Sequence, residues 1–460
     1  MTFPRHTLLI LGAGGDLTAR LLLPGLAEVL HQRELDLDLV GVDRADWGDE
    51  GWRTRVAQSF AVSGLQGSRQ DEVVGAARYV QADVTDRDSL ERALTGSADR
   101  LIVYFALPPA VTVRACQALA GIDLPTDARL VLEKPFGTDV EGAEKLNDLV
   151  TGVVPEGQVY RVDHYLGMST VLNILGLRFT NRVLESVLDN TQVESVDITF
   201  EESLALEGRA GYYDGTGALV DMIQSHALHV LSFLAMEPPS SIEARDIRDG
   251  TAAVLRATRV WDGDPVASSR RGRYTAGDVE GRSVPSYVDE PGVDPALETE
   301  TYAEVTVEVN NWRWAGVPFR LRAGKALSAL NKRATITFKQ PAWVPRGLYG
   351  HESPDRVHIG LDPEVLQIDF NVTGPGDPRG VDRVAMNASF GTSHLPPYGQ
   401  VLAGVLDGDP TLSVRGDHAV ETWRIVEPVL EAWRNGAVPL EGYPAGTTLP
   451  RSGSPRGRVG

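Results

Sequence analysis

The sequence predicts an α/β protein in two parts: an N-terminal Rossmann-type, doubly wound domain on a parallel sheet, then a larger α+β domain with a mainly antiparallel sheet. Three observations predict it. Short apolar runs alternate with helical segments from the N-terminus to about position 170. The rhythm then changes to strand-like segments with no helices between them. At 460 residues the chain is too long for one ordinary core and suits two.

The elements follow in order. "TLLIL" at 7–11 is a buried strand running into "GAGGDL" and the helical stretch "TARLLLPGLAEVLHQ". "LDLVGVDR", "ARYVQADV" (77–84), "RLIVYFALPP" (100–109), "ARLVLEKPFG" (128–137) and "QVYRVDHYLG" (158–167) are further strands. Helices between successive strands imply a parallel sheet. Beyond residue 170, helical patterns at 169–188 and 216–236 precede "ESVDITFEE", "TYAEVTVEVNNW", "PFRLRAGK", "RATITFK" and "VLQIDFNV", the pattern of an antiparallel sheet. Residues 262–298, rich in Gly, Pro, Asp, Ser and Arg, read as a long surface excursion. The expected domains are 1–170, 171–445 and a mobile tail at 446–460. The polar cluster at 160–167 then falls close to an interdomain cleft.

Composition bounds the function. With 42% hydrophobic and 23% charged residues and a net charge of −19, the chain lacks the basic balance of a nucleic-acid binder. A local cationic pocket can still take a small anion. The lone cysteine, Cys116, excludes an intrachain disulfide and a multi-cysteine metal site, and reads as a small buried hydrophobe. No metal is expected. No apolar run approaches the roughly 18 residues of a membrane span, so the reading is a cytoplasmic protein with no membrane partner.

The first strand-to-helix turn carries Gly12, Gly14 and Gly15. Glycines let the backbone turn tightly and approach a pyrophosphate, and the helix N-terminus offers N–H donors. The usual third glycine is replaced by Leu17. At the end of the second strand a carboxylate suits the ribose hydroxyls of NAD and an arginine the 2′-phosphate of NADP. This chain has both, Asp43 and Arg44; NADP is favoured and NAD stays open. "VLEKPFG" puts Glu133 and Lys134 at a strand end, where doubly wound sheets bind ligands, and Pro135 suits a cis peptide. The helix pattern at 216–236 is apolar nearly all round and holds His226 and His229. Each is either a satisfied core residue or a general base. Asp221 and His226, five apart, lie about 140° apart on a regular α-helix and share a pocket only near its end. Lys325 follows a strand and a glycine, where a surface lysine is the plain alternative.

The segments "GAGGDLTARLLLP", "YFALPP", "LEKPFGTD", "RVDHYLG", "TFEESLALEGRAGYYD", "LVDMIQSHALHVLSFLAMEPP", "YAEVTVEVNNWRWAGVPFRLRAGKAL" and "ETWRIVEPVLEAW", in this order over about residues 7–435, resemble the glucose-6-phosphate dehydrogenase family. The resemblance implies oxidation of a glucopyranose C1 hydroxyl to a lactone, with hydride passed to NADP or NAD. It implies His226 as the base, Asp163 orienting its imidazole, and Lys134 touching substrate and nicotinamide. Glu202 and Asp221 would bind sugar hydroxyls, His164 and Tyr165 the 6-phosphate, with Lys325 a further substrate cation. Gly12, Gly14, Gly15, Asp16, Leu17, Asp43, Arg44, Ala106, Leu107, Pro108 and Lys134 would hold the dinucleotide. Strand alternation is expected to send Asp163 and His164 to opposite sides. The resemblance also implies a homodimer or homotetramer built through the large sheet.

The departures bear on the substrate. Met168 stands where the family has a lysine on the 6-phosphate, Leu21 where it has another lysine, and Asp362 near a family glutamine. Each lost contact to a charged group weakens binding by roughly 1.5–3 kcal/mol. Two further readings follow: the same chemistry on a sugar without phosphate, or with another group, at C6, and a catalytically weak regulatory paralogue.

Overall fold

The apolar runs of the N-terminal half become six strands: β1 (Arg5–Leu11), β2 (Asp36–Asp43), β3 (Arg78–Gln81), β4 (Arg100–Phe105), β5 (Arg129–Glu133) and β6 (Val159–Val162). The structure, a computed structural model, describes residues 4–65, 67–350, 353–374, 376–389 and 395–449. It divides into two units: 1–168 with 239–249 and 393–423, and 169–238 with 250–392 and 424–460. A single cut near residue 170 therefore misses two later segments that return to the first unit.

In the first unit β1–β6 are parallel in the order 6-5-4-1-2-3, and Ser413–Val414 adds an antiparallel edge beside β6. The order reverses between β1 and β4, the switch point where such sheets bind dinucleotides. Continuous apolar strands need cover on both faces. Leu26 and Leu30 of the helix Leu23–Gln32, Trp52, and Leu402 and Leu406 of the helix Pro397–Asp407 share one core with Leu8 and Ile10 of β1. A Cβ on Gly25 would stand 2.8 Å from the Gly399 nitrogen, so glycine lets these two helices cross closely. Cys116 is buried in this unit and burial pushes its thiol up to about 12, consistent with an inert core residue.

β6 is shorter than the expected strand. It ends at Val162, and Asp163 caps a single 3-10 turn, His164–Gly167, accepting the Tyr165 N–H at 3.1 Å. The alternation argument thus stops short of His164: Asp163 keeps an extended backbone and His164 starts a helical turn.

The second unit holds β7 (Val193–Glu201), β8 (Thr258–Val260), β9 (Ser269–Thr275), β10 (Gly277–Val279), β11 (Arg282–Val284), β12 (Tyr302–Val309), β13 (Pro318–Gly324), β14 (Asn331–Phe338), β15 (Arg356–Asp362), β16 (Val365–Thr373) and β17 (Val381–Ser389). Its main sheet runs 17-16-15-14-7-13-12-9 and ends on Leu440–Pro444, with β8 also beside β12. Pairing is antiparallel except at β7–β13 and at β9 with Leu440–Pro444. The segment 262–298 is not a loose excursion. It supplies β9 and the β10–β11 hairpin, and its few aromatics carry the burial. Tyr274 and Tyr287 pack with Tyr213, Tyr302 and Tyr443 in a second core, and their hydroxyls bond Glu290 and Asp214. The expected tail joins this unit at its start, where Thr447 bridges Leu327; residues 450–460 lie outside the described ones.

Among the described residues no helix is long and apolar enough to cross a membrane.

Candidate active site

The dinucleotide side belongs to the first unit. Gly12 leaves β1 at φ +90, and a Cβ there would overlap the Ala106 carbonyl oxygen at the end of β4. Only glycine lets the two strand ends approach this closely. Thr18 Oγ1 donates to the Gly12 carbonyl at 3.0 Å, and Arg55 donates to the carbonyls of Gly14 and Gly15 at 2.8 and 3.1 Å. Asp43 accepts the Gly14 N–H at 2.8 Å on one carboxylate oxygen and the Arg44 N–H at 2.6 Å on the other. A Cβ on Gly14 would meet that carboxylate at 2.8 Å. Asp43 therefore staples the glycine loop to the end of β2, and its charge is partly compensated by main-chain dipoles.

One cavity is lined by Gly12, Gly15, Asp43, Arg44, Leu107 and Pro108, with Ala106 and Arg114 also on its wall. Hydrogen bonds from Thr85 hold the Asp83 carboxyl down, and the charges of Arg44 and Arg114 add to that shift. Two exposed arginines thus face one region. Sequence reading missed Arg114, which sits one helical turn into Pro109–Leu119 with no motif to mark it. The cradle that a Cβ would fill, the strand-end carboxylate and the two cations all fit a dinucleotide. Asp16 and Leu17 open the helix behind the loop, with Leu17 against the core.

The β5 end carries Glu133 and Lys134, and Lys134–Pro135 is cis. Burial pushes the Glu133 carboxyl up to about 7, against the Tyr104 hydrogen bond and the Lys134 charge, which lower it. Tyr104 and Tyr398 both donate to this carboxyl. The Tyr398 ring stacks on His164 at 5.9 Å, and His164 lies 4.7 Å from the Tyr165 ring. Asp163 is fully buried, His164 half-buried, and Met168 partly exposed after the turn. Leu21 is 47% exposed, so its side chain faces outward and is not part of the core.

In the second unit the sheet register builds a charged cluster. β7 and β13 run parallel with Glu201 opposite Gly324, so the next residues, Glu202 and Lys325, emerge side by side. Lys325 Nζ lies 2.9 Å from Glu202 Oε2, and Lys332 Nζ 3.0 Å from Oε1. Lys325 also lies 5.0 Å over the Tyr213 ring. It is 6% exposed, so the surface-lysine alternative fails. Burial raises the Glu202 carboxyl, but the two lysines outweigh it and the net shift is downward. Asp362 lies 3.9 Å from Lys332.

The helix that carries the candidate base is not regular. Leu219–Ala227 is a wide π-helical stretch, continued by the α-helix Leu228–Ala235. Bonding from i to i+5 takes more residues per turn, so Asp221 and His226 lie nearer one side than a regular α-helix would put them. The stretch packs on β7, β12 and β13. His226 is 1% exposed, with the Phe200 ring of β7 at 6.3 Å, and His229 is buried as well. Asp221 accepts from the Tyr212 hydroxyl at 3.4 Å. The residues assigned by resemblance thus divide: Lys134, Asp163, His164, Tyr165 and Met168 on the first unit, Glu202, Asp221, His226 and Lys325 on the second.

A 3-2-1-4-5-6 sheet with a glycine cradle at its switch point, in one chain with an α+β unit bearing a buried lysine, a carboxylate and a buried imidazole, fits the class of NAD(P)-dependent oxidoreductases. Residues 9–173 match the family model "Glucose-6-phosphate dehydrogenase, NAD binding domain" and residues 175–455 "Glucose-6-phosphate dehydrogenase, C-terminal domain". The chain belongs to the glucose-6-phosphate dehydrogenase family. Glucose-6-phosphate 1-dehydrogenase of Gluconobacter oxydans is 36% identical, covering 96% of this chain and 94% of its own; that of Treponema pallidum is 34% identical, covering 98% and 93%. The crystal structure of the Mycobacterium avium enzyme superposes with a TM-score of 0.84 at 32% identity, covering 97% and 95%. A glucose-6-phosphate dehydrogenase solved with its substrate glucose 6-phosphate superposes with a TM-score of 0.86 at 26% identity, covering 98% and 96%.

Proposed function

We propose that this chain oxidises the C1 hydroxyl of glucose 6-phosphate to the 1,5-lactone, with NADP+ as the preferred acceptor. The relatives' names support the reaction, and the lysine pair on Glu202 supports a phosphorylated sugar: it brings two ammonium groups together despite Met168 and Leu21. In this reading His226 takes the hydroxyl proton, and Asp163 orients the imidazole and stabilises its cation. Bound NAD(P)+ accepts the hydride lost from C1. Lys134 touches substrate and nicotinamide from the end of β5. Glu202 and Asp221 accept from the sugar hydroxyls; His164, Tyr165, Lys325 and Lys332 bind at the charged end. Arg44 and Arg114 serve the 2′-phosphate. We also place the enzyme in the cytoplasm as a homo-oligomer. The outer strands β16 and β17, which expose Val372, Val384 and Met386, support a contact through the large sheet.

The test follows NAD(P)H absorbance with glucose 6-phosphate, glucose and other C6-substituted sugars under both dinucleotides. Saturation by glucose 6-phosphate at low concentration is expected. Equal use of glucose would move the reading to a sugar without the phosphate, and no turnover on any sugar would leave a regulatory paralogue. His226→Asn should abolish oxidation while dinucleotide binding persists.

A further inference from the structure

We infer that Glu300 and Arg178 are positioning residues for His226, holding its helix at both ends; this rests on His226 being the base. Glu300 is 8% exposed and accepts the Leu219 N–H at 2.9 Å at the start of the π stretch. Its main-chain carbonyl accepts the Ala218 N–H at 3.2 Å. The turn into the helix is moulded on this carboxyl. Gly217 takes φ +70, and a Cβ there would overlap the carboxyl group of Glu300.

The far end is held in the opposite sense. Arg178, 1% exposed, donates to the Met236 carbonyl at 2.7 Å and the Phe233 carbonyl at 3.3 Å, and pairs with Glu185 through both oxygens. Trp314 Nε1 donates to the Ala235 carbonyl at 2.8 Å. An acid thus sits at the positive end of the helix dipole and a guanidinium at the negative end, both out of water. The guanidinium matches the sign of its end, and the Glu300 carboxyl offers an acceptor to the Leu219 N–H whether or not it is ionised.

The consequence is directional. A π stretch has poorer hydrogen-bond geometry than an α-helix and persists where its surroundings hold it. Released at Leu219, the segment can relax to α-helical winding. That swings Asp221 and His226 apart, toward the wider separation of a regular helix. A purely structural role would cost stability without changing catalysis per folded molecule. A positioning role lowers kcat and leaves dinucleotide binding, which belongs to the other unit, untouched.

The experiment compares Glu300→Ala, Glu300→Gln and Arg178→Met with the intact chain, scoring kcat per dinucleotide-binding site and the KM for NADP+. We expect Glu300→Ala to lower kcat at least tenfold with the NADP+ KM within twofold. Glu300→Gln keeps a carbonyl acceptor for the Leu219 N–H and should recover kcat to within about threefold of the parent. A Glu300→Ala kcat within twofold of the parent, or no recovery with Gln, overturns the inference. Should Glu300→Ala not fold, Arg178→Met decides from the other end, and an unchanged kcat there overturns it. His226→Asn runs alongside. If that variant stays active, the proposed base is wrong; if it is dead while Glu300→Ala is fully active, only the clamp is wrong.

Discussion

Lys332 stands 3.0 Å from Glu202, on the opposite carboxylate oxygen from Lys325. Two lysines thus share one carboxylate, with the Asp362 carboxylate 3.9 Å from Lys332, and the arrangement comes from strand register. Glu202 and Lys325 follow paired positions of β7 and β13, and Lys332 stands opposite Phe200 on β14.

Replacing Lys332 by Met should raise the KM for glucose 6-phosphate about tenfold to a hundredfold, the effect of one lost contact to a charged group. The same change removes one of the influences lowering the Glu202 carboxyl, so that group should titrate higher. Steady-state kinetics against substrate concentration and pH reads both. An unchanged KM would remove Lys332 from the phosphate end.

Arg44→Ala should cost NADP+ about tenfold to a hundredfold in kcat/KM and leave NAD+ nearly unaffected if, as proposed, its charge meets the 2′-phosphate, which NAD+ lacks. Asp43→Ala should impair both dinucleotides. It frees the Gly14 and Arg44 N–H groups that hold the loop to β2. Parallel assays with the two cofactors separate the cases; equal losses for Arg44→Ala would show that it does not select.

Much of this was legible in the sequence because single segments carry it. A strand, three glycines and a helix are contiguous, and their physics is local. The β5 end could likewise be read from "LEKPFG" alone. Lys332 could not, because a reading of β14 that starts at Arg333 stops just short of it, and its partner Glu202 follows a strand far back in the chain. The Asp221–His226 relationship was misjudged for another reason. Side-chain identity fixes an α-helical period, whereas the π stretch reflects packing against β7, β12 and β13. The burial of 262–298 was hidden because tyrosines with acidic partners, not an apolar run, make that core.

The contribution of Glu300 and Glu133 to stability should fall as pH rises from about 4.5 to about 7. Burial holds both Glu300 and Glu133 up to about 7, while in the unfolded chain they titrate near 4.5. In that window these two groups have released their protons in the unfolded state and keep them in the native state, so their contribution to the slope is negative, against the positive one of the buried His6 and His358. Below the window both states are protonated, and above it both are ionised and the loss is complete. For Glu300 the shift corresponds to on the order of 3 kcal/mol at most; Glu133, only partly buried, should give less. Urea unfolding on either side of that window, with the parent and Glu300→Gln, measures it. The variant should show a less negative slope, and identical slopes would place the Glu300 titration elsewhere.

Met168→Lys addresses the substrate itself. The Met168 N–H bonds the Tyr165 carbonyl at 3.1 Å, so the backbone here is fixed by the 3-10 turn and a longer cationic side chain leaves it intact. The side chain is partly exposed beside the turn that bears His164 and Tyr165. Lysine has the reach and charge for a phosphate on the same sugar carbon, and one added contact to a charged group is worth roughly 1.5–3 kcal/mol. The KM for glucose 6-phosphate should therefore fall at least several-fold while any activity on glucose is unchanged. A KM that stays level or rises would mean that Met168 does not face the C6 group. The apolar residue would then belong to packing, and the lysines on Glu202 would alone supply the positive charge at that end.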